Sequence, residues 1–170
     1  SYIYSVTGVV NLGALKGAAA GNGPATVAAG IIVIAIAAKA GVFPVQNWLP
    51  RTYPGTSAAV MGLFSGLHTK VAVYMLYRLW VQLFDMDERW GGLIIVIMII
   101  SMLVGSFGGL AENSIRRVLG YQMLNGMPFI LVMMAFTTHD AQRALAAGIL
   151  YTIHHMITVG SLILASGAIE

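Results

Sequence analysis

Apolar residues run through this chain in blocks too long and too even for alternating strands. Five stretches, 24–43, 57–84, 90–111, 118–136 and 144–167, each come near or exceed the roughly 20 residues that a helix needs to cross a bilayer. The third carries no charge between Gly91 and Ala111. A membrane barrel would show short alternating segments instead. The pattern predicts an all-α fold, a polytopic transmembrane helical bundle. The second stretch is slightly long, so it should tilt or emerge at its end. Residues 1–15 are apolar but short and read as the end of a preceding helix. Residues 16–23, Lys-Gly-Ala-Ala-Ala-Gly-Asn-Gly, read as a flexible loop. With no soluble domain or repeat evident, residues 1–170 read as a single transmembrane segment of five spans. Ser1 and Glu170 stand abruptly against apolar sequence, which leads us to expect a fragment of a longer subunit.

Composition strengthens the membrane reading. The chain is 58% hydrophobic and 9% charged, with a mean hydropathy of +0.84. A soluble domain carries about 25% charged residues. The net charge of +3 comes from nine Lys and Arg scattered along the chain, so nothing points to nucleic acid. Cysteine is absent, which excludes disulfides and thiolate-held clusters. Loops on one face hold Arg51, Arg116 and Arg117; those on the other hold Lys16, Arg78, Arg89 and Arg143 beside four acidic residues. That balance sets no orientation under the positive-inside rule. Glu112, Arg116 and Arg117 read as solvated charges at the interface.

The informative residues are the polar ones inside the spans. An ionisable group within a membrane span is a functional-site candidate by default. Lys39 lies near the end of the first span, five residues before Pro44. It either snorkels to the headgroups or is a titratable site at the junction of a broken helix. Pro44, Pro50 and Pro54 follow in quick succession. Proline in a helix interior removes a hydrogen bond and clashes with the preceding turn, so the helix should break at Pro44 and again near Pro50. Such breaks are tolerated at membrane depth where protein buries them or they line a wet cavity.

Lys70 lies in the middle of the second span, on a predicted face with Gly62, Gly66 and Tyr74. Glycines four apart mark a helix contact face, so Lys70 should point at protein. Burial penalises its charged form, which suits a group that loads and releases a proton; a structural ion pair is the competing reading. His68 is a second candidate on a different face, as a relay member or a satisfied core histidine. His154 and His155 sit mid-way along the fifth span, and His155 shares a face with Gly148 and Tyr151. Proton relay suits these histidines. Metal binding does not, because no His-x3-His pair or nearby carboxylate accompanies them. The fourth span holds Tyr121, Gln122, Asn125, Gly126 and Pro128, polar groups that could bond exposed carbonyls or line a wet path.

The strings Lys39-Ala-Gly-x-Phe-Pro-x-x-Trp-Leu-Pro and Phe64-Ser-Gly-Leu-His-Thr-Lys70-Val-Ala-Val-Tyr resemble the antiporter-like proton-translocating membrane subunits. These are the Mrp-type cation/proton antiporter subunits and the homologous subunits of respiratory complex I. Tyr53-Pro54 and the wording around Lys70 look closest to the Mrp D-type subunits, and 114–121 and His154-His-Met-Ile continue the match. The resemblance implies a segment of a two-inverted-repeat fold with a discontinuous helix near Pro44. It implies that Lys39 and Lys70 are the lysines of the seventh and eighth helices, relaying protons along a polar axis in the membrane. Three positions depart from the family pattern: Gln46 stands where His is usual, the stretch after Tyr121 lacks its usual Ser and His, and Val159 replaces a lysine. A path through the last span would then need His155 or water, so the space beside Val159 is expected to be hydrated or filled by a polar neighbour.

The resulting expectation is a subunit of a multisubunit sodium (cation)/proton antiporter, multi-pass in the cell inner (plasma) membrane. It would relay protons through Lys39, Lys70, His68, His154 and His155. Its partners would be the lipid bilayer, other subunits, protons and monovalent cations, with no cofactor, no metal and no nucleic acid. As a secondary transporter component it would not be an enzyme. The alternatives are a proton-pumping subunit of complex I or of a membrane-bound hydrogenase, which would make it part of an oxidoreductase translocase, and a non-conducting assembly scaffold.

Overall fold

The computed structural model describes residues 2–21 and 23–169, so the expectations touching Ser1, Asn22 and Glu170 lie outside the described residues. The described residues form a helical bundle. A short α1 (Tyr2–Thr7) stops at Gly8, whose φ of +69° takes the chain into a 3-10 turn, Leu12–Leu15. The glycine-rich stretch expected as a flexible loop contains a helical turn, α2 (Ala18–Gly21). N–H groups in this stretch find acceptors across the bundle. Gly17 donates to the Gln82 carbonyl at 2.9 Å and Ala19 to that of Leu83 at 3.0 Å. Composition cannot anticipate such long-range bonds.

The first predicted span is α3 (Gly23–Ala40). It stops at Gly41, before Pro44 is reached. Gly41 has φ +76°, its N–H donates to the Ala38 carbonyl (3.3 Å), and that of Val42 reaches back to Ala37 (3.0 Å). This pair of bonds is the Schellman motif, which favours glycine at its left-handed position. Pro44 follows in the non-helical stretch that runs to α4 (Trp48–Thr52). Pro50 lies in the first turn of α4 and breaks nothing, because N–H groups there have no intrahelical partner to lose.

The second span is continuous over residues 58–82, but its middle is not α-helical. α5 (Ala58–Leu63) passes through a π-helical turn, Phe64–His68, into α6 (Thr69–Gln82). The third apolar stretch is α7 (Gly91–Leu110). The fourth, α8 (Ile115–Leu131), contains Pro128 and continues as a 3-10 turn, Val132–Phe136. α9 (Thr137–Ile169) follows without a gap in helix, but Asp140 (φ −151°, ψ 93°) divides the 55-residue run in two. The discontinuous helix thus stands, and each apolar stretch is helical with shifted ends. Arg116 is not simply solvated, since its guanidinium donates to the Thr56 carbonyl at 2.7 Å.

Small residues set how closely the spans approach. Ala58 meets Gly167, Gly62 meets Gly160 and Leu164, and Tyr77 meets Gly148, so α5–α6 and α9 run antiparallel in close contact. α7 and α8 do the same through Gly105 against Asn125 and Gly108 against Tyr121. Lipid tails are as apolar as leucine, so close backbone approach and van der Waals packing drive such association. The core lies between these helices, with Met61, Met123, Leu124, Met127, Ile130 and Ile163 fully buried.

One cross-link stands out. The Tyr77 hydroxyl donates to the Ile130 carbonyl just before α8 becomes 3-10. Tyr77→Phe removes this bond, whose net contribution is about 0.5–1.5 kcal/mol. The expected result is a lower melting temperature of the assembled protein; an unchanged one would show that the bond adds nothing to stability.

Candidate functional site

Lys70 is 6% exposed and His155 4%. Lys70 Nζ lies 2.9 Å from His155 Nδ1, joining the second and fifth spans. The π turn supplies the lysine's second partner. Thr69 N–H donates to the Phe64 carbonyl, five residues back. The Ser65 carbonyl, which Thr69 would engage in a regular α-helix, accepts instead from Lys70 Nζ at 2.7 Å and from Thr69 Oγ1 at 3.1 Å. Thr69 Oγ1 is itself 3.5 Å from Lys70 Nζ. An ammonium has three donors and no acceptor, and here three acceptors surround it.

The same turn explains a difference from the predicted face. Gly62 packs on α9 as expected, but Gly66 has open space beside it and Tyr74 is 59% exposed. The wider turn between Ser65 and Lys70 rotates everything after it, so the four-residue stripe does not persist. Lys70 still points at protein.

With Nδ1 accepting from the lysine, the remaining His155 proton sits on Nε2. That atom is buried and has no hydrogen-bond partner among the described residues. It faces α8, where the Gln122 main chain is close by. Ser65 Oγ, Gln46 Oε1 and Asn125 Oδ1 are likewise buried without partners. A buried polar atom left unpaired costs about 1–3 kcal/mol, and two of these atoms, Ser65 Oγ and His155 Nε2, belong to residues that bond Lys70. Val159 differs from expectation. Its surroundings are the apolar core, with Val159 itself 7% exposed.

The other sequence candidates fall elsewhere. Lys39 lies at the end of α3, exposed, and makes no hydrogen bond or ion pair with the described residues. His68 Nδ1 is 3.1 Å from the Tyr53 hydroxyl. Rings connect this histidine to the helix break, through Phe64 (5.5 Å), Tyr53 (5.4 Å) and Trp48 (5.6 Å) in succession. His154 is exposed, its ring against Tyr151 at 5.8 Å, and it makes no contact with Lys70. Pro44 sits in the break, and Pro50 packs where a Cβ on Gly120 would touch it at 3.4 Å.

Three groups at the site were missed from sequence. The Ser65 carbonyl carries no residue-type signal at all. Ser101 accepts from the Phe43 N–H at 3.0 Å and donates to Ile97 at 2.8 Å, anchoring the break to α7. A serine in an otherwise apolar span was its available signal. Tyr53 was read only as part of a motif.

Known proteins resemble this chain in sequence and in fold. The whole chain, residues 1–170, matches the family model described as NADH:quinone oxidoreductase/Mrp antiporter, TM. The D-type subunit of a Na+/H+ antiporter from Alkalihalophilus pseudofirmus is 33% identical over 174 residues, covering 100% of this chain and 35% of that protein. The N-type subunit of an NADH-quinone oxidoreductase from Hydrogenovibrio crunogenus is 35% identical over 129 residues, covering 75% of this chain and 26% of its own length. A chain in the structure of the Mrp complex from a Dietzia species superposes with a TM-score of 0.94 at 42% identity, covering 99% of this chain and 31% of that one. The chain thus spans about a third of the length of its D-type antiporter relatives. The chain belongs to the NADH:quinone oxidoreductase/Mrp antiporter transmembrane family.

Proposed function

We propose that this chain is part of a subunit of a multisubunit cation/proton antiporter in the bacterial plasma membrane, and that it moves protons through Lys70 and His155. The observation that carries this reading is the buried Lys70 Nζ–His155 Nδ1 contact of 2.9 Å. Burial penalises the ammonium and three acceptors offset that penalty, so small changes around the site can tip the lysine between charged and neutral. Imidazole can accept at one nitrogen while donating from the other. A proton leaving Lys70 can therefore enter His155 at Nδ1 while the one on Nε2 passes to a water that reaches it on the α8 side. Lys39, at the helix break, and His68, bonded to Tyr53, form a second group that would feed or drain this pair.

The test is cation-driven proton movement in inverted vesicles holding the complete complex. His155→Ala should lower the flux by at least about tenfold, because correctly placed proton acceptors and donors contribute roughly 10²–10⁴-fold. Wild-type flux in an assembled complex would remove this histidine from the path.

The second reading, a proton-pumping subunit driven by redox chemistry elsewhere, is favoured by the 35% identity to an N-type oxidoreductase subunit. The full coverage of this chain by a D-type antiporter relative favours the first. Sodium-driven proton movement without NADH or quinone is expected of an antiporter. Flux that requires both would establish the redox-driven reading.

A further inference from the structure

We infer that Gly126 is a positioning residue for His155: the missing side chain on α8 is what lets the imidazole lie against Lys70. This rests on the proton-transfer reading above and adds the element that holds its geometry. Gly126 lies inside α8 and is buried, with no positive φ to demand glycine. In a helix interior glycine is worse than alanine by about 0.5–1 kcal/mol, so helix formation alone favours alanine here. Space is the obstacle. A Cβ at 126 would collide with His155 Nε2 and Cδ2 and lie 2.8 Å from Cε1, and these three nearest atoms all belong to that one ring.

The ring is held on its other side as well. Lys70 Nζ fixes Nδ1 at 2.9 Å, and the Tyr151 ring lies 6.2 Å from it, centre to centre. A methyl group on α8 would be accommodated by the side chain that can rotate, which is His155, rather than by the packed backbone. Rotation carries Nδ1 off Lys70 and turns Nε2 away from the Gln122 main chain. Gly126→Ala thus separates the two ionisable groups without touching either. The other glycine contacts of α8 and α9 differ in kind: Gly120 meets Pro50, Gly148 meets Tyr77 and Gly167 meets Ala58, none of which bonds the lysine.

A double-mutant cycle in the complete, assembled complex tests this, reading cation-driven proton flux and assembly together. Gly126→Ala should reduce flux by at least about tenfold, on the same basis as loss of a positioned proton acceptor, while the complex still assembles. Gly126→Ala added to His155→Ala should cost nothing further, because no ring remains to displace. Wild-type flux in Gly126→Ala alongside impaired His155→Ala would overturn the inference and leave the relay reading intact. Wild-type flux in His155→Ala would instead remove the relay reading itself. Equal extra losses from Gly126→Ala in both backgrounds would show that the glycine acts through something other than His155. If Gly126→Ala fails to assemble, the double variant decides, since His155→Ala vacates the volume the methyl group needs. Its assembly supports the inference, and its failure overturns it.

Discussion

Lys70→Ala is expected to abolish proton-coupled transport while the protein remains in its complex. Removing the ammonium strands His155 Nδ1, at about 1–3 kcal/mol for an unpaired acceptor, while the Ser65 carbonyl keeps its bond from Thr69 Oγ1. The same change removes the cost of keeping a charge in a low-dielectric interior. These effects oppose each other, and the surrounding contacts of Thr69, Ala72 and Val73 are untouched, so assembly should persist. Flux should not, because the group that accepts and releases the proton is gone. Lys70→Arg sharpens the test. Arginine keeps the charge and its donors but does not deprotonate in proteins. A proton-loading role predicts that Lys70→Arg is as inactive as Lys70→Ala, whereas a purely structural ion pair predicts substantial rescue. Wild-type flux in either variant would sink the proposed mechanism.

Gly41→Val should be the most damaging single change to the fold of the discontinuous helix. Gly41 holds φ +76° at the end of α3, a region where an L-residue loses about 1–2 kcal/mol and a β-branched one fits worst. A Cβ there would approach Leu49 Cδ1 to 2.9 Å, and Leu49 is fully buried. Overpacking of this kind adds about 1–3 kcal/mol. Together they predict a loss of about 2–5 kcal/mol, seen as a marked drop in the melting temperature and yield of the assembled complex. Gly41→Ala should fall between Val and wild type. Pro44→Ala should have a smaller effect than Gly41→Val, because the Schellman bonds of Gly41 and Val42 end the helix before the proline is reached. Equal melting temperatures for Gly41→Val and wild type would show that the turn relaxes freely.

Much of this protein was legible in its sequence because a bilayer imposes simple demands. Long apolar runs must be helices there, since every backbone polar group has to be satisfied within its own segment. Residue type and depth alone therefore announced the apolar helices, the discontinuity after Lys39 and the burial of Lys70. The Gly62/Gly66 spacing pointed to a helix contact face, and Gly62 does pack on another helix, α9, while Gly66 has open space beside it.

What the pattern could not carry was anything that depended on a second helix or on a departure from 3.6 residues per turn. Proline signalled the break, yet the stop is Gly41, because a left-handed residue with two capping bonds ends a helix whatever follows it. The face of Tyr74 was misjudged because a π turn at 64–68 has no sequence period of its own. Val159 sits in the apolar core because its neighbours come from other helices. The meeting of Lys70 with His155 joins residues 85 positions apart. Each side chain could be singled out as costly to bury, but only the antiparallel packing of α5–α6 on α9, with Gly126 leaving room on α8, decided that they would be buried against each other.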